Sequence, residues 1–413
     1  MTVTEARPAT VVRAEQETAA HHHAPNRWVW LAAWPVTAVF VLSNAATPLY
    51  TVWQHAIGFS KGTLTVIFAC YIAGLLGSLL VSGLASDRLG RKAVLLPALL
   101  LAVVACVVFA TATSVAALMI ARLLTGIAVG AAVSAGMAAV TDVAGAHRKP
   151  LAALLASCAM VFGAGLGPLA SGVLSETLPG PTVTVFVVEA LLLVTAIVTV
   201  LRMPIARPAT RGSGSWVRIP GVPKGYGRHP MLGIAVFAPG ITATSFVLSL
   251  GPALLSGLLG SSSRIIAGAM AFGMFLTATA VQFAVRSMNR RTIMLMSAAG
   301  TVLSMIALVS AVHLASISLL IASALLAGAG QGLGQLGGLS LLNAHIPAAR
   351  LAEANAALNV GGYLLAGVLP VTAGYLSDAV GLPTGTTLFG VALMVLALLG
   401  GVIVGLPAYR AVR

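Results

Sequence analysis

Apolar stretches of bilayer length recur twelve times along this chain, near residues 29–50, 63–83, 93–112, 115–141, 150–173, 183–202, 231–257, 265–285, 292–312, 315–341, 351–376 and 384–406. A run of about 20 apolar residues crosses the hydrocarbon core as a helix. Inside hydrocarbon the backbone must satisfy its own hydrogen bonds, so only helices and closed barrels can span it. Barrel strands alternate in polarity over about ten residues, whereas these runs are continuous, so the spans are helical. Only 8% of the 413 residues are charged, against about a quarter in a soluble domain. The expected fold class is an all-α polytopic membrane protein with twelve transmembrane helices.

The net charge of +14 raises nucleic acid as a partner, but the placement of the charges excludes it. With the N-terminus in the cytoplasm, twenty of the 23 cations fall on that side. Lys61 and Arg264 face the other side, and Arg122 lies within a span. That asymmetry is the positive-inside signature, so both termini are expected in the cytoplasm of a multi-pass protein of the plasma (inner) membrane. Cys70, Cys106 and Cys158 stand alone in apolar runs, which argues against disulfides and zinc. Residues 1–28 are read as a disordered cytoplasmic tail, its His21-His22-His23 solvated. No metal or cofactor is expected.

A Pro-, Gly- and Arg-rich linker at 203–229 divides six spans from six, giving bundles at 29–202 and 230–407 and a short tail at 408–413. The halves resemble each other. "GLGPLASGVLSE" (165–176) lies over "GVLPVTAGYLSD" (367–378), with Gly165, Pro168, Gly172, Leu174, Ser175 and Glu176 each 202 residues before a matching partner. "DRLGRKAVLL" (87–96) lies over "RSMNRRTIML" (286–295) at 199 residues, setting Gly90 over Asn289, two residues that tolerate a left-handed turn. Two pseudo-symmetric six-helix bundles with a site between them form an alternating-access architecture.

"GLASDRLGRKAVLL" (83–96) concentrates charge in a short cytoplasmic loop between spans 2 and 3. Asp87 is an anion suited to a helix N-terminus across the interface between halves, where the macrodipole is positive. Arg88, Arg91 and Lys92 can pair with it or with Asp142, and Gly83 and Gly90 allow close approach and a tight turn. Such a cluster, made in one state and broken in another, is a latch. A plain positive-inside loop explains the cations but not Asp87 or the glycines. The stretch resembles the loop signature of the major facilitator superfamily, G-x-L-x-D-R-x-G-R-K. The acid, the second glycine and the basic pair hold that spacing, and the residues between Gly83 and Asp87 fit more loosely. Span count, linker and repeat extend the resemblance over nearly the whole chain.

Two stretches resemble elements of that family's proton-coupled drug and metabolite antiporters. "LMIARLLTGIAVGA" carries an R-x-x-x-G element, Arg122 with Gly126 and Gly130, though Thr125 stands where many efflux pumps carry Gln. An intramembrane arginine is functional unless it snorkels to an interface. "GAGLGPLASG" resembles the G-x-x-x-G-P-x-x-G-G element through Gly163, Gly167, Pro168 and Gly172, with Ser171 replacing one glycine. Small residues let helices approach, and the proline bends one.

Proton coupling needs a titratable group in the membrane. Of nine acids only Glu189 lies deep within a span, about as far from the outer surface as Arg122. The expectation is an Arg122–Glu189 pair that protonation opens; a protonated Glu189 among polar neighbours is the alternative. The resemblance implies a cavity around spans 1, 4, 7 and 10. Asn44, Tyr50, Thr244, Gln331, Gln335 and, from span 11, Asn359 are its candidate polar residues, in a mostly apolar lining. No HExxH, no nucleophile with its base and no Walker sequence appears, so an enzyme is not expected. The expected function is secondary transport by a monomer, as proton-coupled efflux of small lipophilic or amphipathic compounds. Uptake or facilitated diffusion of a metabolite is the alternative, followed by a non-transporting receptor.

Overall fold

The structure, a computed structural model, describes residues 25–205, 227–257 and 260–406. Most of the expected N-terminal tail and linker, and the expected C-terminal tail, lie outside the described residues. Twelve helical spans are long and apolar enough to cross a membrane. Spans 1 to 6 are Asn26–Ile57, Lys61–Leu89, Arg91–Ala110, Val115–Ala144, Leu151–Thr177 and Pro181–Arg202. Spans 7 to 12 are Arg228–Gly257, Arg264–Ala284, Arg290–His313, Ile317–His345, Glu353–Val380 and Leu382–Gly405. Among the described residues there is no strand.

The helices outrun the apolar stretches that announce them. Residues 83–89 are helical, so the expected loop between spans 2 and 3 shrinks to Gly90 alone, at φ +96°. Polar side chains at a helix end outside hydrocarbon need not leave the helix, and only the turn itself requires a residue without Cβ. Asn289, set over Gly90 by the repeat, takes no left-handed turn. It is extended at φ −70° and its side-chain oxygen accepts from the Thr292 amide, capping span 9. Two interruptions carry no apolarity signal. Span 1 tightens into a 3-10 turn at Thr47–Leu49, where Pro48 starts a new helical segment. Span 4 widens into a π turn at Ala132–Gly136, with the Ser134 hydroxyl donating to the Gly130 carbonyl.

Within the first half, span 2 packs on span 4, span 1 on span 5, and span 3 on spans 4 and 6. The second half repeats these pairings as span 8 on 10, span 7 on 11, and span 9 on 10 and 12. In hydrocarbon the association of helices rests on close van der Waals packing at small residues. Gly126 and Gly130 of span 4 face the backbone and Ser78 of span 2. At the repeat distance of 202 residues, Gly328 and Gly332 of span 10 face the Met274 and Ala278 carbonyls of span 8. The second basic residue of each hairpin is also repeated. Lys92 donates to the Leu201 carbonyl at the end of span 6 (2.9 Å), and Arg291 donates to the Val404 and Gly405 carbonyls at the end of span 12. Each places a cation on the negative end of a helix dipole.

The halves meet through two antiparallel pairs, span 5 with span 8 and span 2 with span 11. Of the two faces of the molecule, one is rich in arginine and the other holds Lys61 and Arg264 as its cations. Cross-half packing is tightest toward the cation-poor face.

Candidate functional site

A cavity of about 840 Å³, counting space continuous with solvent, lies between the halves and draws its lining from both. Asn44 of span 1, Thr244 of span 7 and Gln331 and Gln335 of span 10 border it, four of the six residues expected there. Helix rotation brings in groups that apolar runs could not reveal: Tyr71 of span 2, Thr279 and Gln282 of span 8, and Tyr363 of span 11. Phe40, Phe68 and Phe275 supply aromatic surface. The Gln331 side-chain oxygen is buried without a hydrogen-bond partner.

The other two expected cavity residues lie elsewhere. Tyr50 is fully buried and its ring meets the Arg122 guanidinium at 5.0 Å. The turn at Thr47–Leu49 swings it away from the cavity. Asn359 borders a second cleft, of about 710 Å³ on the same measure, with Gly83, Ser134 and Asn355. That cleft opens between spans 2, 4 and 11 on the arginine-rich side, so Gly83 of the charged hairpin stands where the halves meet.

Arg122 is completely buried. It donates to the Ser43 carbonyl at 2.7 Å, and its charge rests among the rings of Tyr50, Phe68, Tyr71 and Phe109 at 5.0 to 5.9 Å. Cation–π attraction is strongest when desolvated, as here. Its Nε and Nη2 have no partner. Glu189, 4% exposed, makes no ion pair with it. Aromatic side chains of spans 3 and 6 lie between the two. Phe109 stacks on Phe186 of span 6 at 4.6 Å and on Trp53 at 5.6 Å. Arg122 sits against this stack, and Glu189 lies one turn beyond Phe186, within electrostatic reach of Cys106.

Asp87, Arg91 and Lys92 of the hairpin make their contacts within the first half. Arg91 bridges Asp87 at 2.6 Å and Asp142 at 2.8 Å, and also donates to the Ser86 hydroxyl. Among the described residues no such triad recurs in the second half, where Arg286 occupies the place of Asp87. Gly163 and Gly167 let span 5 cross span 1, whereas Pro168 and Gly172 lie against Gly268 and Arg264 of span 8. The element therefore joins a packing contact inside one half to the contact between halves.

On the cation-poor face two carboxylates seal the halves together. Asp378, at the end of span 11, accepts from the Lys61 and Gly62 amides at the start of span 2 (3.0 and 2.8 Å). Glu176, at the end of span 5, accepts from the Arg264 and Ile265 amides at the start of span 8. These acids are the last matched pair of the sequence repeat, and each meets the positive end of a helix in the opposite half.

The family model of the Major Facilitator Superfamily matches residues 29–285. The chain belongs to the major facilitator superfamily. Solved structures of similar fold include a bacterial homologue of the human lysosomal transporter Spinster in an inward-facing and occupied conformation, at TM-score 0.75 and 14% identity over 93% of this chain and 98% of that one. The nucleoside transporter NupG aligns at TM-score 0.72 and 13% identity, over 91% and 99% of the two chains. A D-xylose–proton symporter aligns at 0.64 and 17%, over 90% and 95%. No curated protein matches by sequence. This major facilitator chain is therefore a multi-pass membrane transporter, and the cavity between its halves is the candidate site for a small-molecule substrate.

Proposed function

We propose that the chain exports small lipophilic or amphipathic compounds across the plasma membrane in exchange for protons, acting as a monomer by alternating access. The observation that carries the reading is a mostly apolar cavity bordered by both halves, with reciprocal carboxylate seals between the halves on one face and a separate cleft between them on the other. Positive-inside charge makes the arginine-rich face cytoplasmic, which gives an inward-facing state able to load from the cell or its inner leaflet.

Span pairing suggests how the opposite state is held. Spans 2 and 11 are antiparallel, and Asp378 at the end of one caps the start of the other. Asp87 occupies the equivalent place at the end of span 2, facing the start of span 11. When the cytoplasmic cleft closes, Asp87 leaves its share of Arg91 and caps that helix, while Gly83 lets the helices touch. Gly90, Arg88, Arg91, Lys92 and Asp142 hold the hairpin for either position.

Arg122 and Glu189 are the coupling groups in this reading. Both are buried, and each has a polar atom without a partner. A carboxylate so placed gains or loses its proton as water reaches it, and Arg122 feels the change across the aromatic stack. Flux in proteoliposomes with an imposed pH gradient tests this. Collapsing the gradient is expected to stop accumulation by the native chain. Glu189→Gln is expected to retain downhill flux and lose its response to the gradient. Persistent gradient dependence in Glu189→Gln would remove the coupling role, and flux indifferent to the gradient in the native chain would favour facilitated diffusion.

A further inference from the structure

We infer that the cavity selects uncharged amphipathic solutes and rejects organic cations; this inference rests on the cavity being the transported solute's site. Among the described residues every side chain that borders the cavity is neutral: none is Asp, Glu, Lys, Arg or His. An ion that sheds its water there finds no countercharge, and burying an unpaired charge is far costlier than burying a hydrogen-bonding group. The cavity offers hydrogen bonds in their place. The carboxamides of Gln331 and Gln335 can each give and take a hydrogen bond, while Asn44 and Gln282, whose amide nitrogens donate to Ser43, Ala164 and Ala278, add acceptor oxygens. The unpartnered oxygen of Gln331 calls for an N–H or O–H from the bound molecule.

The buried charge that packs against the cavity wall has the wrong sign for a cation. Arg122 forms no ion pair among the described residues, and a guanidinium does not deprotonate in a protein. Its three nearest contacts toward the cavity are the Ser43 carbonyl and the rings of Phe68 and Tyr71. All three residues border the cavity. In a low-dielectric wall the uncompensated positive charge reaches the cavity with little screening and repels a cation. Glu189 is not among the bordering residues, so no acid in the cavity wall offsets it.

The test is equilibrium binding to the purified full-length protein. The probes are a panel of uncharged aromatic amides and alcohols led by chloramphenicol, the cations tetraphenylphosphonium and ethidium, and the anion p-aminohippurate. Binding is expected for uncharged members only. Gln331→Glu, which sets a carboxylate where the carboxamide stands, is expected to tighten tetraphenylphosphonium binding at least tenfold and weaken chloramphenicol. Gln335→Glu serves as an independent second variant in case the first does not fold. Comparable binding of a cation or the anion by the native protein, or no binding by any uncharged member, overturns the inference. If a bound cation is also carried in proteoliposomes, the selectivity fails and the transporter reading stands. If the uncharged probes bind and none is carried, the selectivity stands and the proposed export role fails.

Discussion

Replacing Glu176 by Gln and Asp378 by Asn together is expected to open the cation-poor face. Each carboxylate accepts two amide hydrogen bonds from the first turn of a helix in the opposite half. A charge at a helix N-terminus is worth about 0.3–1 kcal/mol when exposed, as these two are. Taking roughly 1 kcal/mol for each site, the two neutralisations shift the equilibrium between states by about 2 kcal/mol, or some thirtyfold. The shift is readable as a distance. Spin labels at Thr113 in the first half and Leu314 in the second sit on exposed turns of that face, in a background whose three native cysteines are replaced. The label separation is expected to lengthen in the double variant, each single variant giving about half the free-energy shift, or roughly a fivefold change in the equilibrium. An unchanged distance distribution would show that glycine packing alone closes this face.

The second large effect concerns folding. Gly167→Val is expected to abolish monodisperse protein or to lower the thermal midpoint steeply. A Cβ at Gly167 would overlap the Val41 carbonyl of span 1. A clash with another helix's backbone has no rotamer that relieves it, so the cost belongs at or beyond the upper end of the about 1–3 kcal/mol typical of overpacking. Gly332→Val should behave alike, since its Cβ would meet the Ala278 carbonyl where span 10 crosses span 8 in the second half. Gly77 is the control. No atom lies within 4 Å of a Cβ built there, and it sits in the interior of span 2. Gly77→Ala should be neutral or stabilising by up to about 1 kcal/mol through helix propensity. Yield after size exclusion and thermal unfolding of all three variants decide the matter. Equal losses at Gly77 and Gly167 would count against close packing as the cause.

How much of this was legible beforehand follows from what each signal encodes. Apolar runs report length in hydrocarbon, so the number and order of spans were readable from them. They say nothing about where a helix ends once it leaves hydrocarbon, and for that reason Asp87 looked like a loop residue although it lies in the last turn of span 2. The repeat carried more than expected. Its final matched pair, Glu176 and Asp378, turned out to be the two seals, and its offset also relates Gly126 and Gly130 to Gly328 and Gly332. Side-chain direction was the weak point. Counting from the membrane surface put Arg122 and Glu189 at one depth, yet the rotation of spans 3 and 6 filled the space between them with Phe109 and Phe186. The same uncertainty hid Gln282 and Tyr363 and misassigned Tyr50 and Asn359. The π turn in span 4 has no compositional mark at all, since Ala, Val, Ser and Gly suit an ordinary helix equally well.

The neutrality of the cavity wall reaches beyond selectivity. A transmembrane voltage does about 2.3 kcal/mol of work per elementary charge per 100 mV. Swinging an empty or uncharged-solute-bearing pocket from one side to the other carries no charge of its own through that field. On the proposed coupling, electrical driving force acts through the buried guanidinium and the carboxylate behind the aromatic stack, and current recorded during turnover is expected to count protons and not cargo.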